Sequence, residues 1–450
     1  MLDFAPVETL QRALIGLNII PRDQHCISRK NISDNALKVM SRLRGSGYQA
    51  YLVGGAVRDL LLGGHPKDFD VATDATPEAV HALFRNSRII GRRFRIVHVR
   101  FGPETIEVTT FRGHHDNGTD AGGPAATRDN HSRQSASGLL LRDNVYGTLT
   151  EDAARRDLSV NALYYDAETF AVYDHVNGLP DLNQRSIRII GDPEQRYTED
   201  PVRMLRVVRF AAKLGFTIDQ QTAETIPRCA HLLGEIPAAR LFDEFLKLFL
   251  AGYATQTLEN LLRFDLLQWL FPDTSTCVRK DEKALALVQA AMRNTDQRIA
   301  EGKPVTPAFI LAALLWPVVS KQSAQLEHNG EAPMIAIGIA GQTAISEAVR
   351  RISIPRRFSQ PMREIWEFQL RLQRRSGRKA VELVEHRRFR AGYDFLLLRE
   401  QAGEDTGNLG KWWTDLQALP PEQRIANVAS PPESRKRSRR PRTRRATPAA

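Results

Sequence analysis

The chain has 450 residues, 42% of them hydrophobic and 26% charged, with a formal net charge of +11. That length exceeds one compact core and suits several domains, and the composition excludes a collagenous, mucin-like or wholly disordered chain. The charge is concentrated: segment 435–445 holds eight basic residues and no acidic one, which leaves +3 for the rest.

In chain order, residues 1–32 read as an N-terminal extension with one apolar helix over 7–17. Asp3 stands where a secretion signal would carry a basic residue. Ser33 or Asp34 caps a helix over 35–44, closed by Gly45 and Gly47. A strand over 50–53 leads to a helix over 56–62, and a strand over 69–72 to a helix over 77–84, with Thr76 as cap and Pro77 first. The β runs 94–101 and 105–111 flank Gly102-Pro103-Glu104 and read as a hairpin, with a second over 160–165 and 170–175. Segment 114–138, rich in Gly, Ser, Asn and Asp, reads as a mobile surface loop.

Beyond Asp200 only helical periodicity remains, over 202–214, 239–251, 255–264, 284–292, 308–315, 344–352, 362–373 and 380–386. The apolar stretch 307–319 contains Pro317 and is shorter than the roughly 20 residues a membrane-spanning helix needs. Cys26, Cys229 and Cys277 are too scattered for a disulfide framework or a CxxC metal site, so a reducing, cytoplasmic compartment without membrane contact is expected. The expected layout is an extension (1–32), an α/β head (33–190), a helical neck (191–270), a helical body (271–415) and a disordered arginine-rich tail (416–450).

Four clusters carry chemistry. In Leu52-Val53-Gly54-Gly55-Ala56-Val57-Arg58-Asp59, a strand enters a Gly-Gly turn and a helix leaves it. The glycines allow close approach of a bulky anion, and Arg58 is placed to grip a phosphate oxygen. In Lys67-Asp68-Phe69-Asp70, an extended backbone puts both carboxylates on one face and Phe69 on the other. Such close like charges call for a cation between them, and two Mg²⁺ ions with substrate phosphates satisfy that need. Arg155-Arg156-Asp157 lies at the edge of a β run, and Asp200-Pro201 opens a helix whose Arg203, Arg206, Arg209 and Lys213 share one face. Gly91-Arg92-Arg93-Phe94-Arg95 is a basic turn suited to phosphate or primer contact.

Taken together, Gly54–Asp59, Lys67–Asp70, Glu151–Leu163 and Tyr197–Arg206 resemble, in order, the motifs of the class II tRNA nucleotidyltransferase and bacterial poly(A) polymerase family. The resemblance implies an α+β fold: a polymerase-β-like nucleotidyltransferase head of mixed sheet and helices, then an all-α body and the basic tail. It implies Asp68, Asp70 and Asp157 as essential carboxylates, with two Mg²⁺ held by Asp68 and Asp70. Glu107, facing outward in Ile106-Glu107-Val108, is the rival third metal ligand, and the sequence does not decide between it and Asp157. Gly54, Gly55, Arg58, Arg156, Asp200, Arg203 and Arg206 are the implied nucleotide-binding residues. Asp200 and Arg203 would read the base.

Three features favour poly(A) addition from ATP over CCA addition to tRNA. The strand Gly91–Val99 resembles the poly(A) polymerase version, the helical body continues through Lys411-Trp412-Trp413 into an arginine-rich tail, and no His-Asp phosphohydrolase pattern appears. Arg92, Arg93, Arg435, Lys436, Arg437, Arg439 and Arg440 are the expected RNA contacts, weakened steeply by salt. Expected partners are ATP, RNA 3′ ends and the RNA-decay machinery, with the enzyme a monomer. A CCA-adding enzyme and a non-catalytic RNA-binding scaffold are the alternatives. Against the latter stand the intact Asp68, Asp70 and Asp157, since clustered carboxylates have no use beside bound RNA.

Overall fold

The structure, a computed structural model, describes residues 16–91, 95–113, 133–134, 140–142 and 145–428. The expected helix over 7–17, Arg92 and Arg93, most of the 114–138 loop and the tail cations lie outside the described residues.

The chain forms two compact units. The first runs to Ser275 and adds 295–303 and 350–353; the second takes 276–294, 304–349 and 354 onward. The first unit is built on an eight-stranded sheet of β1 (Asn18–Ile20), β2 (Ala50–Val53), β3 (Asp70–Thr73), β4 (Ser87–Ile90), β5 (Ile96–Phe101), β6 (Glu104–Thr110), β9 (Leu163–Tyr165) and β10 (Val172–Asp174). Short strands β7 (Arg133–Gln134) and β8 (Leu140–Arg142) pair separately. The sheet order is β1-β10-β9-β2-β3-β6-β5-β4, and only the β3–β6 pairing within it is parallel.

That exception positions the site. β5 and β6 form the expected hairpin, with Phe101 opposite Glu104 and Gly102 at φ +61° in the turn, where a side chain would be strained. Folding this hairpin back brings β6 alongside β3, so Asp70 stands in register with Glu107 although 37 positions separate them. Val71, Ala72, Ile106 and Val108 are buried beneath.

Helix α1 (Asp34–Gly45) starts where expected: the Ser33 hydroxyl accepts from the Asn35 and Ala36 N–H groups. It buries Ala36, Val39, Met40 and Leu43. Helix α2 (Gly55–Leu61) follows the Gly-Gly turn, and α3 (Pro77–Leu83) has Thr76 accepting from Ala79 N–H. A capping box at Thr148 and Glu151 opens α4 (Leu149–Arg155). After α5 (Gly178–Asn183) come α6 (Pro193–Glu199) and α7 (Val202–Leu214). The N-cap of α7 is Pro201 rather than Asp200, which instead accepts Val202 N–H through its carboxylate at 3.3 Å.

Several elements differ from expectation. Residues 18–20, assigned to a featureless extension, add an edge strand to β10. Strand β4 was not foreseen, and Ser159–Asn161 forms a 3₁₀ turn ahead of β9. A two-residue parallel ladder, 186–187 with 217–218, carries strand pairing past Asp200. Each is too short for its pattern to stand out against neighbouring loops.

The first unit continues through α8 (Gln220–Cys229), α9 (Ala238–Phe249), α10 (Ala254–Arg263) and α11 (Leu267–Leu270). Two helices, α12 (Pro272–Lys280) and α13 (Glu282–Ala300), cross the unit boundary. The second unit is helical: α14 (Pro307–His328), most of α15 (Pro333–Arg351), α16 (Arg356–Arg371), α17 (Arg378–Glu385), α18 (Phe389–Gln401), α19 (Leu409–Ala418) and α20 (Pro421–Val428). Pro317 is tolerated inside α14, so that helix extends well past its expected end. The Trp366 indole donates to Ala312 O at 3.1 Å, and the Trp413 indole to Leu372 O at 2.9 Å. The tail was expected from residue 416, yet α19 and α20 carry ordered structure to Val428, because Leu416 and Val428 bury against Trp413 and Phe389. Among the described residues no helix is long and apolar enough to cross a membrane.

Candidate active site

The site is assembled at the end of β2, the start of β3 and the middle of β6. β2 runs into Gly54, whose φ of +78° suits glycine and turns the chain into α2. A Cβ placed there would lie 3.7 Å from Asp70 Oδ2, 3.8 Å from Arg156 Nη1 and 4.0 Å from the Asn161 carbonyl oxygen. Gly54 therefore floors a space that has a carboxylate on one side and a guanidinium on the other.

Asp70 is pushed up to about 6, by burial first and then by the Glu107 charge, with Asp68 adding to the effect and Arg156 and His98 opposing it. Glu107 in turn faces His98 Nε2 at 3.2 Å, its register partner on β5. Asp68 is exposed just before the strand, while Phe69 is buried at 6%. The alternation inferred for Asp68-Phe69-Asp70 holds. Among the described residues no three His, Cys, Asp or Glu side chains already converge in metal-ligating geometry.

Arg156 is held from behind. Its Nε donates to Tyr164 OH at 2.9 Å, its Nη2 reaches Asp152 at 3.1 Å, and its guanidinium lies 5.2 Å from the Tyr164 ring centre. Burial works against its charge, but Tyr164 and Asp152 outweigh it and raise the pKa. Arg156 thus stays a fixed cation beside Asp70.

Asp157, next in the chain to Arg156, has its own set of partners. It accepts Leu158 N–H at 2.9 Å and pairs with Arg206 Nε. Burial would raise its pKa, but Arg206, Arg203 and the Leu158 N–H prevail and hold it at about 2. Of the two rival carboxylates, Glu107 stands in register with Asp70, and Asp157 pairs with Arg206 of α7.

The other nucleotide-binding candidates are also committed to protein partners. Arg58 is 1% exposed; it donates to Asn161 Oδ1 and pairs with Asp59 at 2.6 Å. Only the strand–turn–helix pattern was visible in sequence, and Asn161 lies 103 positions away. Arg203 binds Glu199 at 2.8 Å and the Arg196 carbonyl at 2.7 Å. Asp200 receives Arg240 Nη2 at 2.6 Å, a contact from α9 that no motif announced. Gly55 lies against Arg58, a Cβ there meeting its Nη2 at 3.5 Å.

Clustered carboxylates beside a glycine-floored turn, on a mixed sheet followed by helices, define an RNA nucleotidyltransferase. Three family models match this chain: "Poly A polymerase head domain" over 50–188, "Probable RNA and SrmB- binding site of polymerase A" over 215–277, and "Polymerase A arginine-rich C-terminus" over 329–446. The chain is 48% identical to poly(A) polymerase I of Escherichia coli O6:H1 across 95% of its own length and 92% of the relative. Its likeness to the CCA-adding enzyme of Lactobacillus helveticus is 37% and spans only 50% of this chain and 52% of that one. Among solved structures, the Bacillus stearothermophilus CCA-adding enzyme in complex with CTP is similar at a TM-score of 0.54 and 26% identity, covering 87% of this chain and 81% of that one. The chain belongs to the poly(A) polymerase I family.

Proposed function

We propose that this enzyme adds AMP from ATP to RNA 3′ ends without a template and releases pyrophosphate, in support of mRNA polyadenylation and RNA turnover. The observation that carries this reading is the extent of the likeness. Likeness to poly(A) polymerase I covers 95% of the chain and a family model for the arginine-rich C-terminus matches 329–446, whereas likeness to the CCA-adding enzyme covers 50% of the chain.

In the reaction, the RNA 3′-oxygen bonds to the α-phosphorus, the bond from that phosphorus to the β-bridging oxygen breaks, and the hydroxyl proton leaves to solvent. The donor set fits hard divalent cations. Asp68, Asp70 and Glu107 offer carboxylate oxygens, and the rise of Asp70 to about 6 marks a cluster in need of positive charge. Asp68 and Asp70 would hold two Mg²⁺ ions with Glu107 adjacent, and the bound metal would supply Lewis acidity at the attacking oxygen and the phosphates. Gly54 leaves room for the α-phosphate, and Arg156 offers a positive charge beside Asp70. In this reading Asp157 orients Arg206 and fixes α7, and Asp200 and Arg203 at the start of that helix would read the base. Glu199 and Arg240 hold those two side chains in place.

The test is Mg²⁺-dependent extension of two radiolabelled RNAs, an unstructured oligomer and a tRNA lacking CCA, with each nucleoside triphosphate offered separately. Long ladders on the oligomer with ATP alone are expected. Addition confined to the tRNA, needing CTP and stopping after three nucleotides, would replace this reading with CCA addition.

A further inference from the structure

Helix α4 ends at Arg155 with Arg156 as its cap, and the last carbonyls of a helix have no N–H of that helix to bind them. Arg196 of α6 supplies the donors. Its Nη2 donates to the Arg155 and Arg156 carbonyl oxygens, at 2.5 Å each, and its Nη1 donates to Glu199 Oε2 at 2.9 Å. The same Glu199 oxygen accepts Arg203 Nη1 at 2.8 Å, and that nitrogen also reaches the Arg196 carbonyl at 2.7 Å. One planar guanidinium therefore joins two stretches of chain. The first carries Arg156, the cation acting on Asp70, and Asp157; the second is the passage from α6 into α7 with Asp200 and Arg203.

This place is an unfavourable one for a cation. Arg196 is 9% exposed, burial and then Arg203 press its pKa down to about 10, and its Nε has no acceptor among the described residues. A buried charge with a donor unmet costs stability, and packing alone would be served better by an apolar side chain. An apolar side chain cannot hold two carbonyls and a carboxylate at set separations, which the flat fork of an arginine does.

We propose that Arg196 is a positioning residue for nucleotide choice: it sets the separation between the Arg156–Asp157 stretch and the Arg203 side chain, and through Arg203 it governs which base is accepted. This rests on the reading that Asp200 and Arg203 read the base. Lysine keeps the charge at position 196 but has one nitrogen where the fork has two, so it cannot reach all three acceptors at the same spacing.

The test is single-nucleotide extension of an RNA oligomer by the full chain, with kcat/KM measured for ATP and for CTP. Arg196→Lys is expected to lower the ATP-over-CTP ratio about tenfold, the size of one hydrogen bond to a charged group, with KM for RNA within about twofold. A merely structural role would reduce the active fraction of enzyme, which lowers both rates alike and cancels in the ratio. In an Arg203→Ala background the same change should lower the ratio by less than about twofold, since the side chain through which Arg196 acts is gone. Glu199→Gln keeps the shape but weakens the hold on both arginines. It should move the ratio in the same direction, and it serves as the test where Arg196→Lys does not fold. Arg228→Gln, an exposed change of the same charge on α8, should leave the ratio unchanged. A ratio unmoved in both Arg196→Lys and Glu199→Gln, or a full tenfold drop on top of Arg203→Ala, overturns the assignment. A wild type that selects CTP ahead of ATP refutes the polyadenylation reading, while a ratio that shifts in Arg196→Lys still sustains the positioning role. A wild type that does not discriminate between the two nucleotides overturns both.

Discussion

Replacing Asp68 and Asp70 together by alanine abolishes nucleotide transfer, with an expected loss of at least about 10³-fold. Metal-mediated charge stabilisation is worth several kcal/mol, and each 1.36 kcal/mol is tenfold in rate. The loss should not come from unfolding, and the Asp70 environment supplies the control. Its folded pKa, about 6, lies above the ordinary aspartate value of 3.8. The native state therefore holds this proton more tightly than the unfolded chain. The associated stability is full below about pH 4 and lost as pH rises through about 6, by up to about 3 kcal/mol in metal-free protein. Asp70→Asn should thus melt higher than wild type at pH 7.5 without divalent cations, match it near pH 4, and still be inactive. An Asp70→Asn protein that retains transfer would remove Asp70 from the metal site. One that melts below wild type at pH 7.5 would show the carboxylate to be stabilised rather than strained.

Asp157→Asn is expected to act in the opposite direction on stability. Asp157 is held at about 2, below the ordinary aspartate value of 3.8. Its contribution, roughly 2 kcal/mol, is full above about pH 4 and lost as pH falls through about 2. The variant leaves Arg206, with 32% of its side chain exposed, next to Arg203 and Arg209 without its hydrogen-bonded counter-charge, and only the more distant Glu244 and Asp200 still act on it. A destabilisation of about 2–3 kcal/mol follows, less than for a fully buried pair. Activity should fall about 10²-fold or more, since the start of α7 carries Asp200 and Arg203. A double-mutant cycle with Arg206→Gln, read by denaturant melts, checks the pair. Coupling of at least about 1 kcal/mol is expected, and additive effects would mean that Asp157 acts elsewhere.

The turn and carboxylate cluster were legible because their geometry is local. Gly54-Gly55 announces a positive-φ turn, and Asp68-Phe69-Asp70 announces its own alternation. What stayed hidden depends on where distant segments meet. Nothing in Ile106-Glu107-Val108 says that β6 will lie parallel to β3 rather than at an edge, so Glu107 could only be held as a rival to Asp157. Helical spacing likewise showed that α7 carries a basic face but not which cations find acids. The partners of Arg58, Arg206 and Asp200 are Asn161, Asp157 and Arg240, each 40 or more positions away. The tail boundary failed for a similar reason. A stretch of mixed polar composition looks disordered until Leu416 and Val428 are seen to close onto Trp413.

Val428 also fixes where the arginine-rich segment is moored. Its side chain is 4% exposed, and its carbonyl accepts Gly377 N–H at 3.1 Å, just ahead of α17. A fully extended chain advances at most about 3.5 Å per residue, so Arg435 acts within about 25 Å of that mooring and Arg445 within about 60 Å. The origin and the furthest reach of the basic segment are therefore fixed by where Val428 sits.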